Sequence, residues 1–229
     1  MKIPLQVNLP PGATLALVGS GEYLPPIEPV DRTLLARLNG SARVVCLPTA
    51  AGTESRERIQ YWMDLGTAHF QRLGVTQVEA VRVVDRTSAE DAELAARIAA
   101  ANFVYFSGGR PAHLYHTLAG SKTWQAVQSV LEKGGVVAGC SAGAMIFGER
   151  IAGFPFPWPW QAGFNALPGT FIIPHFDELP SAIAKGLAHL PDHLKRVGID
   201  GSTALVCTAE GCQVEGSGRV VVDSEVYRS

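Results

Sequence analysis

Val136-Val137-Ala138-Gly139-Cys140-Ser141-Ala142-Gly143-Ala144-Met145-Ile146-Phe147 reads as a short buried strand, a glycine-framed bend and the start of a helix. The glycines at 139 and 143 let the backbone tighten until the Ser141 hydroxyl projects free of the chain. A helix N-terminus behind that hydroxyl offers unpaired N–H groups and the positive end of a dipole to a developing oxyanion. An ordinary Gly-Ser turn has the same local pattern, so these residues alone leave a structural turn and a nucleophile elbow equally open.

The same strand-then-helix rhythm recurs along the chain. Thr14–Val18, Arg43–Leu47, Gln77–Val84, Phe103–Phe106 and Val136–Ala138 are short, near-continuous apolar runs. Such runs suit strands covered on both faces, where an alternating pattern would suit a half-exposed sheet. Between them lie helical stretches. One opens at Thr53-Glu54-Ser55-Arg56 and runs to Leu73 before Gly74. Another opens at Ser88-Ala89-Glu90-Asp91 and runs through Ala100, with an acid three residues after a hydroxyl cap. A third begins near Ser121 and stops at Gly134-Gly135.

Strands separated by helices predict βαβ units, a mostly parallel sheet with helices on both faces, and right-handed crossovers. The expected fold is therefore a three-layer α/β domain spanning residues 1–229. After Ser202 the pattern changes to short, glycine-punctuated runs, Thr203–Cys207, Gln213–Glu215 and Arg219–Val222. These predict an antiparallel meander at the C-terminal edge of the sheet.

Composition narrows the function. Hydrophobic residues make up 47% of the 229 and charged residues 17%, which supplies a large core. The formal net charge is −2 with Lys and Arg scattered, so no basic footprint for nucleic acid is present. Met1–Asn8 does not read as a secretory leader, and no apolar run reaches the ~18 residues of a membrane span. Cys46, Cys140, Cys207 and Cys212 fit neither a disulfide framework nor a paired zinc site, and read as reduced thiols of a cytoplasmic protein.

In a doubly covered parallel sheet, chemistry gathers beyond the carboxyl ends of the strands. Four loops fall there: Gly19-Ser20-Gly21-Glu22, Pro48-Thr49-Ala50-Ala51-Gly52, Ser107-Gly108-Gly109-Arg110 and the Ser141 bend. If the Gly108-Gly109 tip lies beside Ser141, a backbone N–H from Gly108 or Gly109 and that of Ala142 form a two-donor oxyanion hole. The competing reading makes those glycines a plain turn before the helix at Pro111. Of six histidines, His175 ends the apolar run Phe171-Ile172-Ile173-Pro174-His175-Phe176 after the bend, and is the candidate base. His113 and His116 share a helix face but lack a third metal ligand nearby in sequence, while His69, His189 and His193 fall in helical, solvated contexts.

Together, Gly139-Cys140-Ser141-Ala142-Gly143-Ala144, Phe106-Ser107-Gly108-Gly109 and Pro174-His175-Phe176 resemble the dipeptidase E and cyanophycinase family of serine peptidases. The resemblance runs from Leu15-Ala16-Leu17-Val18-Gly19-Ser20-Gly21 to Gly198-Ile199-Asp200-Gly201-Ser202-Thr203-Ala204-Leu205. It implies the class I glutamine amidotransferase-like fold, Ser141 as nucleophile, His175 as general base, and Gly109 with Ala142 as oxyanion donors. No metal or organic cofactor is implied.

Three departures shape the expectations. The segment after the bend, Ile151–Trp160, holds no acid where dipeptidase E relatives place an Asp. Asp177, two residues past His175, is the first choice for holding the imidazole, with Glu149, Asp200 and Glu210 as alternatives. Residues 177–184 carry no arginine to grip a substrate carboxylate, which leaves Arg110 as the candidate substrate-binding cation. The Phe154–Trp160 run of prolines and aromatics is expected to wall a pocket, cover the site or pack in a homodimer.

The expected activity is hydrolysis of a peptide or isopeptide amide bond in a small peptide. One alternative is a degenerate family member that binds a small acid or peptide. The other is an amidotransferase-like glutaminase, which would need Cys140 at the apex of the bend.

Overall fold

The computed structural model describes residues 2–152, 161–179 and 190–229. Its helices are α1 (Glu28–Leu35), α2 (Arg56–Arg72), α3 (Arg86–Ala89), α4 (Ala92–Ala99), α5 (Pro111–Leu118), α6 (Lys122–Glu132) and α7 (Ala142–Met145). The strands up to the Ser141 bend are β1 (Thr14–Val18), β2 (Arg43–Leu47), β3 (Gln77–Ala80), β4 (Phe103–Phe106) and β5 (Val136–Cys140). Beyond it lie β6 (Gly148–Ile151), β7 (Gln161–Ala162), β8 (Leu167–Ile173), β9 (Lys195–Ile199), β10 (Thr203–Thr208), β11 (Gly211–Gly216), β12 (Val220–Val222) and β13 (Glu225–Tyr227).

Seven strands form the main sheet in the order β11-β10-β1-β5-β4-β2-β3. The five from β1 to β3 are parallel, and β10 and β11 add an antiparallel edge. The two-residue period of a strand explains why its apolar runs are unbroken. Leu15, Leu17, Val45, Leu47, Val104, Phe106 and Val137 enter one apolar cluster. Their neighbours Ala16, Val18, Val44, Cys46, Phe103, Tyr105, Val136 and Ala138 enter another. Ile27, Val30, Leu34, Phe70 and Leu73, in and beside α1 and α2, complete the second cluster. Residues of α4, α5 and α6 complete the first, giving three layers with both faces of the sheet dry.

Several expected elements shift. Strand β3 ends at Ala80 rather than Val84. The helix expected from Ser88 is two pieces, α3 capped by Asp85 and α4 capped by Asp91, with Ser88 in the third helical position of α3. His69 is not solvated: it faces inward from α2, fully buried, with Nε2 2.7 Å from Asp31 Oδ2. Burial raises the Asp31 carboxyl, and the His69 contact opposes that rise. Gly66 stands on the same inward stripe because a Cβ there would come within 3.0 Å of both Cys46 Sγ and Tyr23 Cζ.

The C-terminal meander is corrected as well. Strands β10 and β11 do pair at the edge of the main sheet, but β12 belongs to a second sheet, ordered β13-β12-β9-β8-β6-β7. Its β8–β9 and β6–β8 pairs are parallel. Side chains of this sheet, among them Ile172, Val197, Ile199 and Val220, share the first apolar cluster with the main sheet.

The reading of four reduced thiols fails at two positions. Cys207 and Cys212 form a disulfide across the directly paired β10–β11 register, with Cα atoms 4.1 Å apart. Facing positions of an antiparallel hairpin bring two side chains together without moving the backbone, something residue spacing alone does not reveal. The cysteines therefore do not mark a reducing compartment. No helix among the described residues is long and apolar enough to cross a membrane. The Phe154–Trp160 run and His189 lie outside the described residues.

Candidate active site

Strands β1, β2, β4 and β5 are parallel neighbours, so the four glycine-bearing loops meet at one end of the sheet. Ser141 follows the last residue of β5, and its N–H donates to Val18 O of β1 at 3.0 Å. Its backbone stands at φ 52° and ψ −112°, a conformation rare for a residue with a Cβ. The glycines of the bend are sterically required. A Cβ on Gly139 would lie 2.2 Å from Gly143 O, and one on Gly143 would lie 2.7 Å from Phe106 O. The bend can therefore close on itself and pack against β4 only without side chains at those positions.

His175 reaches the same place from the second sheet. It follows β8, adopts a left-handed conformation at φ 52° and ψ 37°, and turns its ring toward β5. Ser141 Oγ lies 3.0 Å from His175 Nε2. With Nε2 as acceptor the ring proton sits on Nδ1, which donates to Glu178 Oε2 at 3.4 Å. Asp177, the expected third member, turns away: its Oδ1 accepts the Gly201 N–H at 2.8 Å. The short 3-10 turn at Phe176–Glu178 makes the difference, because it carries position i+3 rather than i+2 back over the imidazole.

The other candidate carboxylates are engaged elsewhere. Glu149 accepts from Gly169 N, Asp200 pairs with Arg219, and Glu210 accepts from the Thr208 hydroxyl. His113 Nε2 lies 2.8 Å from Val84 O. Arg110 is exposed at the start of α5, and its backbone N–H donates to Ala50 O at 2.8 Å.

The tip of β4 does lie beside the bend: a Cβ built on Gly108 would sit 3.3 Å from Ser141 Cβ. Yet the Gly108 N–H is not open to a substrate, because it donates to Glu22 Oε1 at 2.9 Å. Gly109 and Ala142 keep their N–H groups without an acceptor among the described residues. Cys140, the alternative nucleophile, is fully buried and its thiol donates to Glu22 Oε2 at 3.0 Å. Burial foremost, and then the Glu22 carboxylate, push that thiol well above its ordinary range.

Two residues here are not predicted from the sequence. Glu178 lies one residue past the closer acid, Asp177. Glu22 stood in a loop already placed at the right end of the sheet, and being the one acid there was its signal.

A family model for Peptidase family S51 matches residues 15–214. The chain belongs to Peptidase family S51. This S51 chain is 29% identical over 203 residues to a cyanophycinase of Synechococcus elongatus, an alignment covering 83% of the chain and 61% of that relative. It is 26% identical over 166 residues to a cyanophycinase of Nostoc sp. (strain PCC 7120 / SAG 25.82 / UTEX 2576), covering 67% of the chain and 55% of the relative. The S51 chain thus spans less than two thirds of the length of these curated relatives. Among solved structures, a peptidase from an acI-B1 Actinobacterium superposes with a TM-score of 0.86 at 34% identity, over 95% of this chain and 94% of that one. A Listeria monocytogenes EGD-e structure superposes at 0.68 with 18% identity, over 90% and 99% of the two chains, and speaks to the fold alone.

Proposed function

We propose that this S51 chain is a serine peptidase that cleaves a peptide or isopeptide amide bond in a small peptide. Ser141 Oγ attacks the carbonyl carbon while His175 Nε2 takes its proton. The tetrahedral oxyanion is met by the N–H groups of Gly109 and Ala142, each worth on the order of 3 kcal/mol in a dry site. Protonated His175 then gives its proton to the leaving amine, and an acyl-enzyme remains on Ser141. His175 next draws a proton from water, which attacks the ester, and passes that proton to Ser141 Oγ as the acyl–oxygen bond breaks and the acid leaves. Glu178 orients the imidazole and favours the Nδ1–H tautomer.

The carrying observation is the 3.0 Å contact between Ser141 Oγ and His175 Nε2 at the end of a parallel sheet. The cyanophycinase relatives and the actinobacterial peptidase support amide hydrolysis as the reaction class. Recognition of a substrate carboxylate falls to Arg110, since residues 177–184 contain no arginine. Turnover of a dipeptide and β-aspartyl dipeptide panel tests the reading: wild type releases free amine and Ser141→Ala, equally folded, does not. Undiminished release by Ser141→Ala removes that residue from the mechanism.

A second reading, binding without turnover, draws on one observation: the Glu178 side chain that meets the imidazole is 67% exposed. A well-folded wild type that binds members of the panel and hydrolyses none favours it.

A further inference from the structure

Glu22 touches both strands that build the site. One oxygen accepts the Gly108 N–H at the end of β4, and the other accepts the thiol of Cys140, the residue before Ser141 on β5. The carboxylate also lies against the face of Gly108 that looks at the serine. A Cβ at that position would meet Glu22 Oε1 at 2.8 Å and Ser141 Oγ at 3.8 Å. On its far side the Gly108-Gly109 turn is fixed by backbone alone. Arg110 N–H donates to Ala50 O, and Gly109, at φ 144°, lies so close that a Cβ would come 2.4 Å from the same oxygen. Between these two anchors sits the peptide that carries the Gly109 N–H.

The chain holds Glu22 in place at some strain. The next residue, Tyr23, takes φ 66° although it is a bulky aromatic and 1% exposed. Such a backbone persists only where its surroundings over-determine it. Tyr23 packs against His69, Phe70 and Tyr105, and its carbonyl accepts from Arg72. His69 is itself held by buried Asp31. A buried polar and aromatic cluster on the far side of the sheet thus aims one carboxylate at the reacting end.

We propose that Glu22 is a positioning residue. By accepting the Gly108 N–H it sets the Gly108-Gly109 peptide so that the Gly109 N–H meets the oxyanion, and it acts as a bridging acceptor, not as a charge. This rests on the serine peptidase reading above. Glutamine keeps one acceptor at the same reach for the Gly108 N–H, turns its NH2 toward the Cys140 sulfur, and loses the charge. Aspartate keeps the charge but is one methylene too short to span both strands. Alanine loses both.

The probe is an alkyl fluorophosphonate, whose phosphoryl oxygen occupies the place of the oxyanion. Its inactivation constants are measured on the full chain, with thermal melts as a check on folding. Glu22→Gln keeps the maximal labelling rate within about 5-fold of wild type. Glu22→Asp and Glu22→Ala lose on the order of 100-fold in that rate with reagent affinity unchanged, the scale of a donor misplaced by about an ångström. If Glu22→Ala does not fold, the Gln–Asp pair decides alone. Wild-type labelling by Glu22→Ala, or a fast Asp variant beside a slow Gln variant, overturns the proposal. A wild type that is never labelled sinks the peptidase reading, and this inference with it.

Discussion

Ser141 and His175 both carry positive φ, 52° in each case; Ser141 directly follows β5, and His175 follows β8 after Pro174. Residues in such conformations cost of order 1–3 kcal/mol apiece and persist where the surroundings fix them. At Ser141 the surroundings are glycines, 139 and 143, that let backbone approach backbone. The imidazole is held less firmly. Its Nδ1 partner, Glu178, is mostly in solvent and 3.4 Å away, so water competes for the same proton. Glu178→Ala is therefore expected to lower kcat only about 10-fold, against the ~10⁴-fold known for a buried orienting carboxylate. Asp177→Ala should act on stability instead, by about 1 kcal/mol through the lost Gly201 hydrogen bond. Steady-state kinetics in which Asp177→Ala is the more damaging of the two would return the third place to Asp177. The pattern His-x-acid favoured Asp177 by spacing alone, and the 3-10 turn that selects Glu178 leaves no mark in residue types.

At the level of elements, the caps between β3 and α4 show how a correct signal gets a wrong assignment. Ser88 followed three residues later by Asp91 has the form of one capping box. In the fold, Asp85 caps α3 with Ser88 completing the box, and Asp91 caps α4 with its own side chain. The residues were legible, and their roles were not, because two caps in tandem overlay the pattern of one. The Ser88 backbone N–H, and then its hydroxyl, hold the Asp85 carboxyl below its ordinary range. A carboxyl depressed in the folded state binds protons more readily when unfolded. Its stabilisation is complete above the unfolded value near pH 4 and is lost as pH falls through the lower folded value. Asp85→Ala should cost about 1 kcal/mol at pH 7. Urea melts should find the gap to wild type closing below pH 4, and a gap constant down to pH 2 would contradict the assignment.

For the whole molecule, the main sheet was readable because each central strand is buried on both faces and so is continuously apolar. The second sheet was not. Its β12 pairs with β9 and its β6 with β8, joining short segments whose faces become apolar only when assembled. The disulfide was hidden for the same reason, since Cys207 and Cys212 meet through strand register. It closes a loop of few residues and should add about 2 kcal/mol through the unfolded chain. Cys46 and Cys140 are free and buried, and burial pushes the Cys46 thiol up to about 12. Ellman's reagent at pH 8 should find no thiol in native protein. It should find two in guanidinium and four only after reduction. Four without reductant would show that the β10–β11 pair is not bonded.

The proposed chemistry rests on the pairing of the Ser141 hydroxyl with the His175 imidazole. Intact-mass and peptide-mapping spectrometry after exposure to a fluorophosphonate reads that pair directly. A single adduct on Ser141 is expected in wild type, none in Ser141→Ala and almost none in His175→Ala. A folded wild-type protein without adduct, or one labelled equally well in His175→Ala, would contradict it.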